Sequence, residues 1–398
     1  MMIPERPALE RRVLDALDLA GGTAADGPRI PVLLGGCGSG RTSLLLRLRD
    51  LIGRNAVQYV DVERVATTPE RFLKALVDTS PFPSHGAPSP AGDRSSRDAF
   101  VAAIDFLANA RGSTGGPVTF LLDEFLELRT FESFPGLRSV LRELLVTLGA
   151  SQNRFVLTSR YAARAYRLLR DAPAPYEIVR VEPLTAAEVR ATLPPPDVRH
   201  PSAYKEDDED QARDELARMV HALSDGRPAY ARLIAEGAAG MASRGGADPV
   251  SALCALLGPG GQLTLACRYS YELRLHRARG YGALKAILDV LADEEPLTLT
   301  EIALRLRRTP GSTKDYLSWL EDVDLIASRQ KRYSFTDPLL RVWVRLHCRA
   351  VPPSDEEVAR EVHTFVMERL PQAERPLELA GAPRALAAEK SWGIIEID

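Results

Sequence analysis

The chain has few cysteines. Cys37, Cys254, Cys267 and Cys348 are scattered over 398 residues and form no Cys-x-x-Cys pair. That argues against a zinc site or a disulfide scaffold and favours a reducing compartment. No apolar run approaches the roughly 18 residues that a membrane helix needs. The start, Met1 to Arg6, lacks the apolar stretch of a signal peptide. The expected location is cytoplasmic, with no membrane partner. An excess of one charge is also missing: 51 Lys and Arg stand against 54 Asp and Glu, a net charge of −3. A protein that coats nucleic acid over its whole surface is much more basic, so any such contact must be a local patch. Glycine and proline, 28 and 29 residues, are near average usage, which excludes collagen-like and wholly disordered chains.

What is present is globular: 45% hydrophobic and 26% charged residues. At about 150 residues per domain, the length suggests two or three domains. Ile30–Leu34, Val57–Val62, Val118–Leu122, Arg154–Thr158 and Tyr176–Val181 read as buried strands. Ala8–Ala20, Leu44–Leu51, Glu70–Asp78, Asp98–Ala110, Leu137–Leu148 and Ala162–Arg170 read as helices. Strands alternating with helices imply the α/β class, with a parallel sheet covered on both faces. Ser80–Asp98, rich in Pro, Ser and Gly, reads as a loop.

After Val181 the alternation stops. Thr185 with Glu188 is a capping box that opens a helix to Leu193. Glu206–Asp210 is an acidic run, a solvated loop or a helix start. Gln211–Leu223 and Ala229–Ala239 read as helices, and a mostly helical region with one hairpin follows Leu253.

Chemistry concentrates at three strand ends. Gly35-Gly36-Cys37-Gly38-Ser39-Gly40-Arg41-Thr42 follows a strand, opens a helix and fits G-x-x-x-x-G-[KR]-T; Ser43 is next in line. The glycines let several backbone N–H groups face one anion, and the helix N-terminus adds its positive end. Thr42 is placed to ligate Mg²⁺. Arg41 stands where a Lys is expected; it keeps the charge but is bulkier and planar. Cys37 reads as a small residue that the loop tolerates. The alternative is an ordinary glycine-rich turn. The Val118–Leu122 strand delivers Asp123, to hold Mg²⁺ through water, and Glu124, to polarise an attacking water; the alternative is a surface helix cap. The Arg154–Thr158 strand is expected beside it, with Thr158 or Ser159 to orient water and Arg160 to meet a γ-phosphate; the alternative is that Arg160 pairs elsewhere.

In this order (phosphate loop, Leu-Asp-Glu-Phe strand, Thr-Ser-Arg strand, Pro183-Leu-Thr, Asp225-Gly-Arg-Pro228) the chain resembles the archaeal-type ATPases of the STAND branch of the AAA+ related P-loop NTPases, relatives of the origin-recognition ATPases. The resemblance covers roughly residues 3–350. It implies a helical lid whose Gly226 and Pro228 pack on the nucleotide, with Pro228 carrying the nucleotide state to the lid. It also implies an adenine contact near Ile3-Pro-Glu-Arg6. The chain departs from the pattern at Arg41 and in that N-terminal element.

Tyr281–Ala292, Thr298–Arg307 and Ser312–Asp322 read as three helices, with Arg308–Gly311 as a turn and Ser312 as an N-cap. Ile326–Phe335 reads as a hairpin with Gln330-Lys331 near its tip. This is a helix-turn-helix with a wing, and Tyr333–Arg341 resembles the segment that closes this domain in the same ATPases. Arg308, Lys314, Arg329, Lys331 and Arg332, with Arg305 and Arg307, are candidates for phosphate contacts to double-stranded DNA. Asp315, Glu321 and Asp322 make the third helix acidic, and a protein-docking role stands equally.

The expected organisation is a nucleotide-binding domain at 1–181, a lid at 182–246, a winged-helix domain at 247–351 and a flexible tail at 352–398. The tail's Trp392, Ile394, Ile395 and Ile397 form a strand-like segment for a protein partner's sheet edge or for packing back. The expected function is an ATP/ADP- and Mg²⁺-dependent switch with slow hydrolysis, coupled to DNA or a partner. The alternatives are a non-catalytic scaffold or regulator, and a DNA-remodelling or transposition-type ATPase. The latter forms an ATP-dependent homo-oligomer with Arg138, Arg142 or Arg164 as finger candidates.

Overall fold

The chain is described by a computed structural model over residues 5–19, 29–83, 95–172, 176–193, 206–242, 248–277 and 280–370. Most of the Ser80–Asp98 loop, Ile3-Pro4 and the tail segment from 371 to 398 lie outside the described residues.

Helix α1 (Pro7–Ala16) precedes strand β1 (Ile30–Leu34), which is buried along its whole length. Then come α2 (Arg41–Ile52), β2 (Val57–Asp61), α3 (Val62–Val65), α4 (Pro69–Asp78) and α5 (Ser96–Asn109). β2 ends one residue earlier than its apolar run, because the Asp61 side chain accepts the Arg64 N–H and caps α3. Strand β3 (Thr119–Asp123), also buried throughout, runs into a 3₁₀ segment (Phe125–Ser133) that the sequence reading did not anticipate. Helix α6 (Val140–Ala150), β4 (Arg154–Ser159), α7 (Ala162–Leu169) and β5 (Tyr176–Arg180) complete this half.

The five strands form one parallel sheet in the order β2-β3-β4-β1-β5. Alternate residues face opposite sides. Leu33, Leu121, Val156 and Val179 pack against Leu44, Leu45 and Leu48 of α2 and Val13 of α1. Val32, Leu34, Phe120, Leu122, Phe155 and Leu157 face the larger core. There Phe120 stacks on Phe155 at 5.7 Å and meets Phe82 edge-on at 5.4 Å. Because all strands run the same way, the residues following β1, β3 and β4 emerge together at one edge.

Beyond the sheet the chain is helical. Helix α8 (Ala186–Thr192) opens with the Thr185–Glu188 capping box read from the sequence. Helix α9 (Glu206–Ser224) begins at the acidic run, which makes that run a helix start, and α10 (Pro228–Ala242) follows. Then come α11 (Pro249–Leu257), α12 (Gln262–Arg277), α13 (Tyr281–Asp293), the short strand β6 (Leu297–Thr298), α14 (Leu299–Arg305), α15 (Pro310–Asp322), β7 (Ile326–Arg329) and β8 (Arg332–Phe335). β6, β8 and β7 form an antiparallel sheet in that order. Gln330 and Lys331, both at positive φ (50° and 64°), make the two-residue hairpin tip.

Two expectations are corrected here. Ser312 is not the N-cap of α15. Thr309 is, accepting the Ser312 N–H, with Pro310 in the first turn where its missing N–H costs nothing. Residues 352–370 are not a flexible tail. After α16 (Pro338–His347), Ser354 and Glu357 form a capping box that opens α17 (Asp355–Arg369), and Val358, Val362 and Phe365 bury one face of it. Among the described residues, no single helix is long and apolar enough to cross a membrane.

Candidate nucleotide-binding site

The loop between β1 and α2 turns on glycine. Gly40 caps α2 at φ 90°, a conformation that costs a side-chain-bearing residue dearly. Gly36 leaves room for a neighbour, since a Cβ there would lie 2.9 Å from Arg227 Nη1. Thr42 opens α2 with an exposed side chain, and Ser43 follows it, half-buried.

The sheet edge brings Asp123 to this loop. Thr42 Oγ1 donates to Asp123 Oδ2 at 2.7 Å, and the Tyr59 hydroxyl donates to the same oxygen at 3.0 Å. The Thr158 hydroxyl donates to Oδ1. Burial and the Asp123 carboxylate push the Tyr59 phenol far above its usual range, so it stays a donor.

Glu124 departs from the strand at φ 57°, in the left-handed region. Its carboxylate, 7% exposed, lies between two guanidiniums: Arg41 Nη2 at 2.6 Å and Arg160 Nε at 3.1 Å. The Arg160 backbone N–H donates to its other oxygen at 3.0 Å. Burial pushes this carboxyl up, but Arg41, Arg160 and that N–H outweigh it and hold it below the usual carboxylate range. Arg160 also pairs with Glu63 of α3. Arg41 is turned inward, donating to Gly36 O at 3.1 Å. Loop, Asp123-Glu124 and Arg160 are thus joined through direct contacts, and Arg160 has the second partner that the sequence left open.

The helical segment covers the loop. Leu184 N donates to Gly226 O at 2.7 Å, and Gly226 sits at φ 62° where a Cβ would lie 2.5 Å from Leu184 O. Pro228 packs beside Gly40, its Cγ 3.4 Å from where a Cβ would be. Ala229 N donates to Gly38 O at 3.2 Å. Arg227, between the two residues singled out from the sequence, makes the wider set of contacts: Cys37 O at 3.3 Å, Thr336 O at 2.7 Å and Asp337 at 3.6 Å. Near the N-terminus, Arg6 donates to Glu182 O at 2.5 Å, which ties the start of the chain to the β5–α8 connection.

The residues present suit an anion. Ser39 Oγ and the Nε atoms of Arg41, Arg227 and Arg274 are buried without hydrogen-bond partners. The exposed Thr42 beside Asp123 suits Mg²⁺. Among the described residues, no group of three or more His, Cys, Asp or Glu gathers to hold a metal.

The candidate DNA residues lie elsewhere. Lys314, Arg329 and Lys331 are exposed. Arg308 lies over the Tyr316 ring at 5.4 Å, and Arg332 meets Pro296 O at 3.0 Å and Glu301 at 3.6 Å. The acidic end of α15 faces the sheet domain: Asp322 pairs with Arg167 of α7, and Asp324 accepts the Ala162 N–H. Of the finger candidates, Arg138 and Arg142 are exposed and Arg164 lies over the Tyr161 ring at 5.4 Å.

No protein-family model matches the sequence, and no curated protein matches it. Among solved structures the chain is similar to the Walker-type ATPase paby2304 of Pyrococcus abyssi, with 17% identity, a TM-score of 0.59, and coverage of 86% of this chain and 96% of that one. It is more loosely similar to the Aeropyrum pernix ORC1 protein in complex with DNA (18% identity, TM-score 0.44, 92% and 94% covered). The same holds for the Thermotoga maritima RuvB Holliday junction branch migration motor (13%, 0.40, 83% and 92%). These two likenesses are too loose to bear on function. The first extends over nearly all of both chains and, with the sheet order and the loop between β1 and α2, shows that this chain has the α/β fold of that P-loop protein.

Proposed function

We propose that the chain is an ATP-binding switch with slow Mg²⁺-dependent hydrolysis. The observation that carries this reading is the convergence of the Gly35–Thr42 loop, Asp123, Glu124 and Arg160 at one sheet edge, joined by contacts of 2.6–3.1 Å. The loop amides of Gly36, Gly38, Ser39 and Gly40, with Arg41 and Ser43, hold phosphate at the N-terminus of α2. Thr42 and Asp123 hold Mg²⁺, which neutralises charge on the phosphate oxygens. Glu124 orients the attacking water, and Arg160 meets the γ-phosphate. Both duties require Glu124 to leave its two guanidinium partners, which agrees with slow turnover. Pro228 and Arg227 pass the state to the lid. Calorimetry with Mg²⁺-ATP on the full chain tests binding: no heat and no affinity overturns the reading. Glu124→Gln should retain binding and cut turnover at least ~10²-fold, in the range a positioned acid–base group supplies. An unchanged trace of turnover refutes the hydrolytic part.

The three helices and hairpin of 281–335 support a winged helix that contacts double-stranded DNA. The observation favouring this over a purely docking role is that Arg308, Lys314, Arg329, Lys331 and Arg332 are all exposed, while Asp322 at the end of α15 pairs with Arg167 and Asp324 just beyond it accepts the Ala162 N–H. The organisation proposed is 1–181 for nucleotide, 182–246 for the lid and 247–351 for the winged helix. Exposed Arg138 and Arg142 suit a neighbouring subunit's site in an ATP-dependent homo-oligomer.

A further inference from the structure

Strand β2 brings one side chain to the sheet edge beyond those assigned to nucleotide or Mg²⁺. Tyr59 is half-buried, and its ring packs against the smaller core, the one that contains Leu44 and Leu121. β2 and β3 run parallel with Tyr59 level with Leu121 and Asp61 level with Asp123. Two residues along a strand span about 6.6 Å. The long tyrosine side chain crosses that distance, and its hydroxyl donates to Asp123 Oδ2 at 3.0 Å. Asp61, the direct neighbour of Asp123, is occupied elsewhere, its Oδ1 accepting the Arg64 N–H at 3.1 Å. The buried Asp123 carboxylate thus takes three hydroxyl donors: Thr42 at 2.7 Å and Tyr59 on Oδ2, and Thr158 on Oδ1. Thr158 is itself fixed, fully buried and accepting the Glu124 N–H at 3.0 Å. A carboxylate offers about four lone-pair sites, so about one is left open. That site can accept one hydrogen from a water on a cation, and the three donors decide where it points. The hydroxyl and carboxylate oxygens gathered here suit Mg²⁺, a hard ion that keeps several of its own waters.

We propose that Tyr59 is a positioning residue for the divalent cation: its hydroxyl fixes the rotation of the Asp123 carboxylate, so that the open lone pair faces the water shell of an ion beside Thr42. This rests on the reading of Thr42 and Asp123 as the Mg²⁺ residues. Tyr59 acts through Asp123 and not on the ion itself. A hydroxyl has one hydrogen and two lone pairs, so Thr42 can offer a lone pair to the ion and keep its hydrogen on Oδ2. Tyr59 holds the same oxygen from β2, a strand outside the phosphate loop, and keeps it in place while the loop closes on phosphate. Partners that orient a metal-binding group in this way are commonly worth about 10- to 100-fold in metal affinity.

The test reads the metal dependence of nucleotide binding and not turnover. A non-hydrolysable ATP analogue is titrated by calorimetry into the full chain as wild type, Tyr59→Phe and Tyr59→Leu, in EDTA and over a series of Mg²⁺ concentrations. Phe removes the hydroxyl and keeps the ring. Tyr59→Phe should raise the Mg²⁺ concentration that gives half of the affinity gain about 10-fold, with affinity in EDTA within about twofold of wild type. Tyr59→Leu should show the same shift, together with a lower melting temperature from the lost ring packing. A merely structural tyrosine gives another pattern: Phe behaves as wild type, and Leu weakens binding alike with and without Mg²⁺. That pattern overturns the proposal, and so does a Tyr59→Phe shift below about twofold. A wild type that binds the analogue equally with and without Mg²⁺ sinks the Thr42–Asp123 metal reading, and the Tyr59 proposal with it. A wild type that needs Mg²⁺, matched by Tyr59→Phe, sinks the Tyr59 proposal alone.

Discussion

Asp324 ties the C-terminal hairpin to the helix that follows Arg160, and it offers a quantitative test of how the two halves are joined. It sits at φ 53° just before β7, and its carboxylate accepts the Ala162 N–H at the start of α7. Burial raises its pKa; Arg274 and the N–H groups of Ala162 and Ala163 lower it; the balance leaves it pushed up to about 6 from 3.8. A rise of about two units is worth about 3 kcal/mol. The folded chain therefore holds a proton that the unfolded chain releases near its ordinary value. The resulting stability is complete below about pH 4 and is lost as pH rises through about 6. Asp324→Asn keeps an acceptor for the Ala162 N–H and never ionises. Relative to wild type, the variant should be about 2 kcal/mol better off at about pH 7.5 than at about pH 4.5. Urea unfolding of both proteins at the two pH values, at fixed ionic strength, reads the difference directly. Profiles that run parallel within about 0.5 kcal/mol would show that the folded chain does not raise the pKa of this carboxylate.

Other perturbations follow from the same contacts. Phe120→Ala removes a ring that stacks on Phe155 at 5.7 Å and meets Phe82 at 5.4 Å; it should cost about 3–5 kcal/mol in a denaturant melt, and a loss under about 1 kcal/mol would mean the sheet core is not packed as described. Gly226→Ala forces a Cβ to within 2.5 Å of Leu184 O at φ 62°; about 1–3 kcal/mol of strain should lower the melting temperature, and an unchanged melt would contradict the Leu184–Gly226 pairing. Arg329→Ala with Lys331→Ala should weaken double-stranded DNA binding and reduce its salt slope by about 2 in a shift assay; an unchanged slope means the hairpin is not the contact.

Much of the fold was legible because it is written in local pattern. Ile30–Leu34 and Val118–Leu122 are apolar runs too short for helices, ended by a glycine turn and by Asp123. Thr185–Glu188 announces its capping box by spacing alone. Helix α17 carried a readable sign too, Val358, Val362 and Phe365 at helical spacing behind Ser354–Glu357, but the surrounding Pro, Ala and Glu obscured it. Within the site, Gly35–Thr42 and Asp123-Glu124 could be picked out because phosphate binding needs consecutive backbone N–H groups and a strand that ends in acid. Arg227 lay inside Asp225-Gly-Arg-Pro228, yet only its neighbours were singled out.

The sequence alone thus determined that a phosphate loop, an acidic strand end and a polar strand end exist, since each depends on residues a few positions apart. The tertiary structure decided their partners: Glu124 between Arg41 and Arg160, Tyr59 on Asp123, Arg227 bridging the loop to Asp337, and Asp324 on α7. These contacts join residues 36 to 190 positions apart. An ion pair or a cap at such separation is set by how the sheet and helices pack, and nothing in the local order of the chain encodes it.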